Sequence, residues 1–318
     1  MLDTPTLEWR DRLVLSREIA TPGERSQFFS EVRRGEFIPL QRGVYLPASE
    51  WEQLTADERY RSRIHGATAF ADSPLVWSHE SAAALWRLPN LHAWPAALHT
   101  TVPDAAGGRS SRSLVRHTVG HPLTVESIDG LTTTALARTV VDLARSLDFA
   151  QAVVFADAAL HRTDHHVRGL PATSLTAADL RAELALHFAG RGIAKARQVV
   201  AFADGRADRP GESISRVNMS FARLTMPQLQ APIIGASGKT WFVDFWWPEY
   251  NVIGEFDGKA KYTDPQFLGG RTPAEAVYDE KLREDDLRAA NHGMTRWPWE
   301  TATSMPKLRA QLLAAGVR

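Results

Sequence analysis

The chain contains no cysteine. That excludes a disulfide framework, thiolate metal sites and a cysteine nucleophile together, and it fits a reducing cytoplasm. No apolar run approaches the ~18 residues that would span a bilayer. The N-terminal stretch MLDTPTLEWRDRLVL carries acidic residues early and no apolar core of signal-peptide length. A soluble, cytoplasmic protein with no membrane partner is the expectation. An excess of one charge sign is also missing, since 37 Lys+Arg balance 37 Asp+Glu. Over residues 205–318 the count is 15 against 14. A bulk electrostatic footprint for nucleic acid is therefore absent, and any DNA contact must come from local clusters. Neither a Gly-rich phosphate loop nor a GxSxG elbow occurs, which weighs against an enzyme acting on a small molecule.

What is present is ordinary globular material. With 318 residues, 44% hydrophobic and 23% charged, the chain is long enough for two or three domains with their own cores. Near the N-terminus, TPGERSQFFSEVRRG has a strong helix start. Thr21 caps, Pro22 suits the first turn, Glu24 completes a capping box, and Gly35 marks the stop. EFIPLQRGVYLP then reads as two short strands around a turn at Arg42-Gly43. Helices followed by a two-stranded wing are the plan of a winged helix-turn-helix. It would set Arg33, Arg34 and Arg42 near DNA, or leave them as solvated surface.

EWEQLTADERYRSRIH reads as one charged helix. SPLVWSHESAAALWRLP reads as a strand, a Ser78 cap and a helix ending before Pro89. ALHTTVPD, LVRHTV and HPLTVESIDG are strand-like. LTTTALARTVVDLARSL reads as a capped amphipathic helix with the stripe Ala137, Val140, Val141 and Ala144, and FAQAVVFADAAL as another helix. HRTDHHVRGLPATSLT (161–176) reads as a linker. Its His161, Asp164, His165 and His166 are zinc-compatible residue types, but their spacing fixes no ligand geometry. TAADLRAELALHFAGRGIAKARQVVAFA reads as a further helical segment.

The most informative stretch is TWFVDFWWPEYNVIGEFDGKAKY (240–262). WFVDFWW and NVIGEFDG are strands, and PEYN supplies the turn. With the loop at 248–251, Trp247 pairs with Val252, which sets Asp244 opposite Glu255 and Phe242 opposite Asp257. Val243, Phe245, Trp247, Val252 and Phe256 form the core face. Asp244, Glu255, Asp257 and Lys259 form the other. Like charges directly opposed repel, so something must offset them. A hard divalent cation such as Mg²⁺ or Mn²⁺ does so. A raised carboxylate pKa or pairing with Arg or Lys are the alternatives. Upstream, RPGESISRVNMSFARL is a helix with core stripe Ile214, Val217, Phe221 and Leu224. Glu212 lies off that stripe, as a third acid or as a partner of Arg216. Downstream, RTPAEAVYDEKLREDDLRAANHG repeats the capping pattern with Thr272, Pro273 and Glu275. Its Lys281, Arg283 and Arg288 would meet phosphates or make pairs such as Lys281–Asp285 and Glu284–Arg288. MTRWPW is a further strand.

This order, with Glu212, Asp244 in VDFWWPE, and Glu255, Asp257 and Lys259 in EFDGKAKY, resembles the PD-(D/E)XK nuclease superfamily. It is most similar to the branch of very-short-patch-repair endonucleases, over roughly residues 205–300. The resemblance implies a restriction-endonuclease-like α/β domain with a mixed sheet. It also implies that Asp244 and the next strand's acid bind Mg²⁺ while a lysine assists the attacking water. The position two after Glu255 is Asp257 rather than lysine. Either Glu255 is the acid and the lysine has moved to Lys259, or Asp257, Gly258 and Lys259 are themselves the motif. LQRGVYLP, SHESAAALWRLP and LTTTALARTVVDLAR are similar to AbiE-type antitoxins, over roughly residues 7–160. That resemblance implies a winged helix with a second α+β domain, repression of an operon, and a cognate toxin or a second copy of the chain as partner.

The expected fold is thus multidomain, α+β and α/β. Residues 1–60 are a winged helix-turn-helix, 61–165 an α+β domain, 166–204 a helical linker and 205–318 a nuclease-like domain. The expected activity is a Mg²⁺-dependent DNA endonuclease in defence or repair. Its catalytic residues would be Glu212, Asp244, Glu255, Asp257 and Lys259, its metal ligands Asp244 and Glu255, and its DNA contacts Arg33, Arg34, Arg42, Lys281 and Arg283. The alternative is a DNA-binding regulator or antitoxin whose nuclease-like domain is inactive.

Overall fold

The computed structural model describes residues 9–103, 110–119, 123–161, 170–171, 174–187, 190–207, 209–258 and 272–318. It is a mixed α+β structure in two compact units, residues 1–147 with 162–200 and residues 148–161 with 201–318. Among the described residues no helix is long and apolar enough to cross a membrane.

The first unit opens with α1 (Trp9–Arg12), β1 (Val14–Leu15) and α2 (Pro22–Arg33). Thr21 and Glu24 form the capping box that the sequence implies, and Gly35 stops the helix at φ +82°. β2 (Phe37–Gln41) and β3 (Val44–Pro47) pair as a hairpin through Gly43 at φ +79°, and β1 adds to β3 in the order β1-β3-β2. Leu13, Leu15, Val44, Leu46 and Leu54 bury together beneath this small sheet. The single charged helix expected next is two helices, α3 (Ala48–Gln53) and α4 (Ala56–Phe70). Leu54 is extended, and a second capping box, Thr55 with Glu58, restarts the helix.

A five-stranded mixed sheet follows, in the order β6-β5-β4-β8-β7. Its strands are β4 (Val76–Trp77), β5 (Leu98–Pro103), β6 (Leu114–Val119), β7 (Val125–Ile128) and β8 (Leu131–Thr134), and α5 (His79–Leu85) follows β4. Ser78 holds the N-cap position of α5 without capping it, and its hydroxyl meets His79 Nδ1 instead, at 3.1 Å. The Leu131-Thr-Thr-Thr stretch, expected to open a helix, is β8. Its β-branched residues fit the ladders to β7 and β4, and Thr133 Oγ1 donates to the Trp77 carbonyl. The helix is the shorter α6 (Leu136–Ser146), buried nearly all round rather than on one stripe, with Arg138 and Asp142 paired inside at 2.8 Å. α7 (Phe149–His161) belongs to the second unit. The segment after the linker is not continuous, because Gly190 and Gly192 take positive φ between α8 (Ala177–Ala185) and α9 (Ile193–Phe202).

The second unit comprises α7, α10 (Pro210–Phe221), β9 (Gln228–Ile234), β10 (Thr240–Trp247), β11 (Val252–Asp257), α11 (Pro273–Ala289), β12 (Gly293–Pro298), α12 (Trp299–Ala302) and α13 (Met305–Ala314). The sheet order is β12-β11-β10-β9, with β11 and β12 parallel and the other pairs antiparallel. α11 is the crossover that the parallel pair requires. Pro248–Tyr250 form a short 3-10 turn, and Asn251 closes it in the left-handed region. The hairpin register is therefore Trp247 with Val252, as the turn chemistry implies. Phe245 stacks with Trp247 and Trp297, whose indole N–H groups donate to the Thr225 carbonyl and Ser215 Oγ. Buried indoles need such partners. Val243 and Ile253 pack with Ala231, Ile233 and Leu287 in a further cluster. α7 packs on α10 through the buried pair Asp157–Arg216 at 2.8 Å. The stripe expected on α10 is altered, since Phe221 is 57% exposed whereas Glu212 is 2% exposed.

Candidate functional site

Two glycines beside candidate acids allow close packing against aromatic rings. A Cβ on Gly211 would fall inside the Phe256 ring, so glycine lets the first turn of α10 lie directly against β11. A Cβ on Gly254 would lie 2.8 Å from both the Trp247 and Trp297 rings. Each glycine is followed immediately by a buried acid, Glu212 after Gly211 and Glu255 after Gly254.

Asp244 lies where the sheet is irregular on both sides. The β10–β11 ladder runs through Trp247–Val252, Trp246–Ile253 and Phe245–Gly254. At the next position the half-buried Asp244 carboxylate takes the place of a backbone acceptor, and its Oδ2 accepts from the Phe256 N–H at 2.9 Å. On the other side β9 and β10 are in register from Thr240 to Trp246 except at Asp244 and Gln230. Gln230 adopts φ +47° within a strand, a costly conformation for a residue with a side chain. Its Nε2 donates to Glu212 Oε2 at 3.4 Å. The second unit thus holds two separate polar contacts, Gln230 with Glu212 and the Phe256 amide with Asp244, and Glu255 is the chain neighbour of Phe256.

Glu255 is 1% exposed and is held by Arg283 of α11. Arg283 Nη2 donates to Oε1 at 2.7 Å and Nη1 to Oε2 at 3.3 Å. The same guanidinium donates to Glu280 Oε1 at 3.1 Å and to the Phe242 carbonyl at 2.6 Å. Arg296 of β12 meets Glu280 from the other side and lies 3.7 Å from Glu284. Burial by itself would lower the Arg283 pKa. The charges of Glu255, Glu280 and Asp244 outweigh it and hold the guanidinium above its ordinary value.

The other expected site residues are placed as follows. Asp257 ends β11, half-buried. Lys259 lies outside the described residues, so the choice between the two versions of the acid-and-lysine motif stays open. Arg33 and Arg42 are exposed, and Arg34 is exposed with its Nε on Glu36 Oε1 at 2.7 Å. Lys281 is exposed on α11, whereas Arg283 is turned inward with 14% of its side chain accessible. Arg216 turns to Asp157 rather than to Glu212, and Glu284 pairs with Arg288 as its spacing allows. His161 Nδ1 meets the Gly205 carbonyl at 2.9 Å, while Asp164, His165 and His166 lie outside the described residues.

The donor set has the chemistry of a hard-cation site, with carboxylate oxygens drawn from α10, β10 and β11. Its arrangement does not fit a bound ion. Both Glu255 oxygens accept from Arg283, and Asp244 Oδ2 accepts a backbone N–H. Among the described residues no group of three His, Asp or Glu is arranged to hold a metal.

Sequence reasoning missed Gln230, because a strained strand residue leaves no mark in composition. It also missed a histidine cluster in the first unit. His99 Nδ1 lies 3.0 Å from His117 Nε2 and 3.6 Å from Glu80 Oε2, and the His79 ring stacks on His117 at 3.6 Å. Burial holds His99 below its usual pKa and pushes His117 down to about 4, so these rings are neutral at neutral pH.

No family model matches the chain. Two proteins of Mycobacterium tuberculosis are similar to it, uncharacterized protein MT2308 of strain CDC 1551 / Oshkosh and uncharacterized protein Rv2248 of strain H37Rv. Each is 29% identical over 241 residues, spanning 76% of this chain and 81% of the relative.

Proposed function

We propose that this protein acts on DNA as a phosphodiester-cleaving endonuclease. The second unit carries the chemistry, and the α2 helix and β2–β3 wing contact the duplex. The observation that carries this reading is the set of three buried or half-buried acids in the second unit, Glu212 on α10, Asp244 at a break in both of its ladders on β10, and Glu255 on β11. Three buried or half-buried acids on separate elements are unfavourable for folding alone, and a strained residue beside them is the signature of a site rather than of a core. The element order from α10 through the β9–β10–β11 strands and α11 to β12 supports the resemblance to PD-(D/E)XK nucleases. Mg²⁺ or Mn²⁺ is the cofactor of this reading. The chain's own share is to hold the carboxylates in place. The Phe256 amide holds Asp244, and Arg283 holds Glu255.

The alternative, a DNA-binding regulator with an inactive nuclease-like unit, is favoured by one observation. Arg283 engages both oxygens of Glu255. A cleavage assay separates the two. Plasmid and mismatched duplex are incubated with wild type and Asp244→Asn in Mg²⁺, in Mn²⁺ and with chelator. The endonuclease reading requires metal-dependent cleavage by wild type and none by Asp244→Asn. Equal rates for the two proteins, or no cleavage of any substrate, leave the regulator reading.

A further inference from the structure

Three imidazoles and one carboxylate of the first unit meet where α5 begins and β5 pairs with β6. We infer that Glu80, His99 and His117 form a proton-operated switch. One added proton moves His99 Nδ1 from His117 to Glu80 and loosens the edge strand β6. The device lies in the first unit and stands whether or not the second unit cuts DNA.

His99 of β5 sets its Nδ1 3.0 Å from Nε2 of His117 on the neighbouring β6. That contact holds one proton, since one nitrogen must donate and the other accept. A second proton would set two N–H groups face to face and force the contact open. Glu80 Oε2 lies 3.6 Å from the same Nδ1, buried and with no hydrogen-bond partner. A buried acceptor left without a donor is costly, and His99 Nδ1 is the nitrogen that faces it. A proton placed between Glu80 and His99, on whichever of the two, therefore takes Nδ1 away from His117.

The surrounding groups direct the proton to that pair. The His79 ring stacks on His117 with centroids 3.6 Å apart and lies 6.0 Å from His99. Burial, both neighbouring imidazoles, and Arg138 and Arg145 of α6 oppose a charge on His79. Burial and His99 oppose one on His117. Burial draws the Glu80 pKa up and the His99 pKa down, the condition for two groups to titrate as one. Tyr60 of α4 also neighbours Glu80, and burial keeps its phenol protonated. His79 adopts φ +50° at the first position of α5, and backbone strain of that kind clusters where a structure has two arrangements.

β6 is the outer strand of the five-stranded sheet and pairs with β5 on one side only. Opening the His99–His117 contact leaves Thr101 Oγ1 on the His117 carbonyl as a side-chain tie between the two strands. The expected loosening of β6 is about fivefold, the equivalent of one neutral hydrogen bond.

The test is amide hydrogen exchange of the full chain at pH 7 and pH 5, corrected for the intrinsic pH dependence of exchange. In wild type, β6 should lose about fivefold protection at pH 5 relative to the β7–β8 pair at the other edge of the sheet. Glu80→Gln removes the proton's destination and should leave β6 equally protected at both pH values. His65→Gln, which removes a buried imidazole outside the cluster, should keep the wild-type response. Unchanged β6 protection in wild type overturns the inference. So does a Glu80→Gln response equal to that of wild type, or a response lost in His65→Gln. If Glu80→Gln does not fold, His99→Gln decides, and a pH response that persists in it overturns the inference.

Discussion

Asp244 and Glu255 are equivalent in the sequence pattern, yet the structure separates them sharply in stability. Glu255→Gln breaks a buried ion pair. Removing one partner of such a pair costs ~3–5 kcal/mol because a charge is left uncompensated. Arg283 keeps Glu280 and the Phe242 carbonyl, so the lower end of that range applies, about 3 kcal/mol. Asp244→Asn differs. An asparagine carbonyl still accepts from the Phe256 N–H, and exchanging a charged acceptor for a neutral one costs about 1 kcal/mol. With a urea slope of ~1–3 kcal/mol/M, the midpoint of Glu255→Gln should fall by about 1 M or more. That of Asp244→Asn should stay within about 0.5 M of wild type. The double variant Glu255→Gln with Arg283→Met completes a cycle whose coupling should be about 2 kcal/mol. Equal midpoints for the two single variants, or a coupling near zero, would refute the argument that Arg283 is what stabilises Glu255.

Two further outcomes follow from the first unit. His65 is buried, stacks on Trp9, and is pushed down to about 4 by burial and by Arg61. Its folded pKa lies below the unfolded ~6.5. The unfolded chain therefore takes up a proton that the folded one refuses, and stability falls as pH drops from ~6.5 towards 4, by about 3 kcal/mol for this group. Urea unfolding at pH 7 and pH 5 should show a steeper loss for wild type than for His65→Gln, and parallel losses contradict the assignment. Replacing Arg33 and Arg34 by alanine should weaken DNA binding and flatten its salt dependence by about two counterions' worth. Unchanged binding by fluorescence anisotropy across a salt series removes α2 from the DNA interface.

Much of the local structure was written in short stretches. The capping boxes at Thr21 and Thr272 involve residues three apart. The hairpin register beside the Pro248-Glu-Tyr-Asn turn follows from that turn, which sets Trp247 with Val252 and the next two pairs, while the expected pairs Asp244–Glu255 and Phe242–Asp257 are not in the ladder. The pairing of β10 with β11 was legible for that reason. Interactions within four residues do not depend on what the rest of the chain does.

The sequence was silent where the partner is remote. Leu131-Thr-Thr-Thr became a strand because β4 and β7 offered it ladders. Glu212 is buried where Gly211 seats the start of α10 against Phe256, and Phe221 at the other end of the helix is exposed. Arg283 reads in sequence like any helix-face cation beside Lys281. Only the packing of α11 against the end of the β10–β11 hairpin turns one inward and leaves the other in water. The sequence by itself determined that Asp244 and Glu255 would lie on the two adjoining strands of one hairpin. Tertiary structure decided which cation meets Glu255, because that choice depends on a side chain 28 residues away, and the direction it points is set by the packing of its helix rather than by its neighbours in the chain.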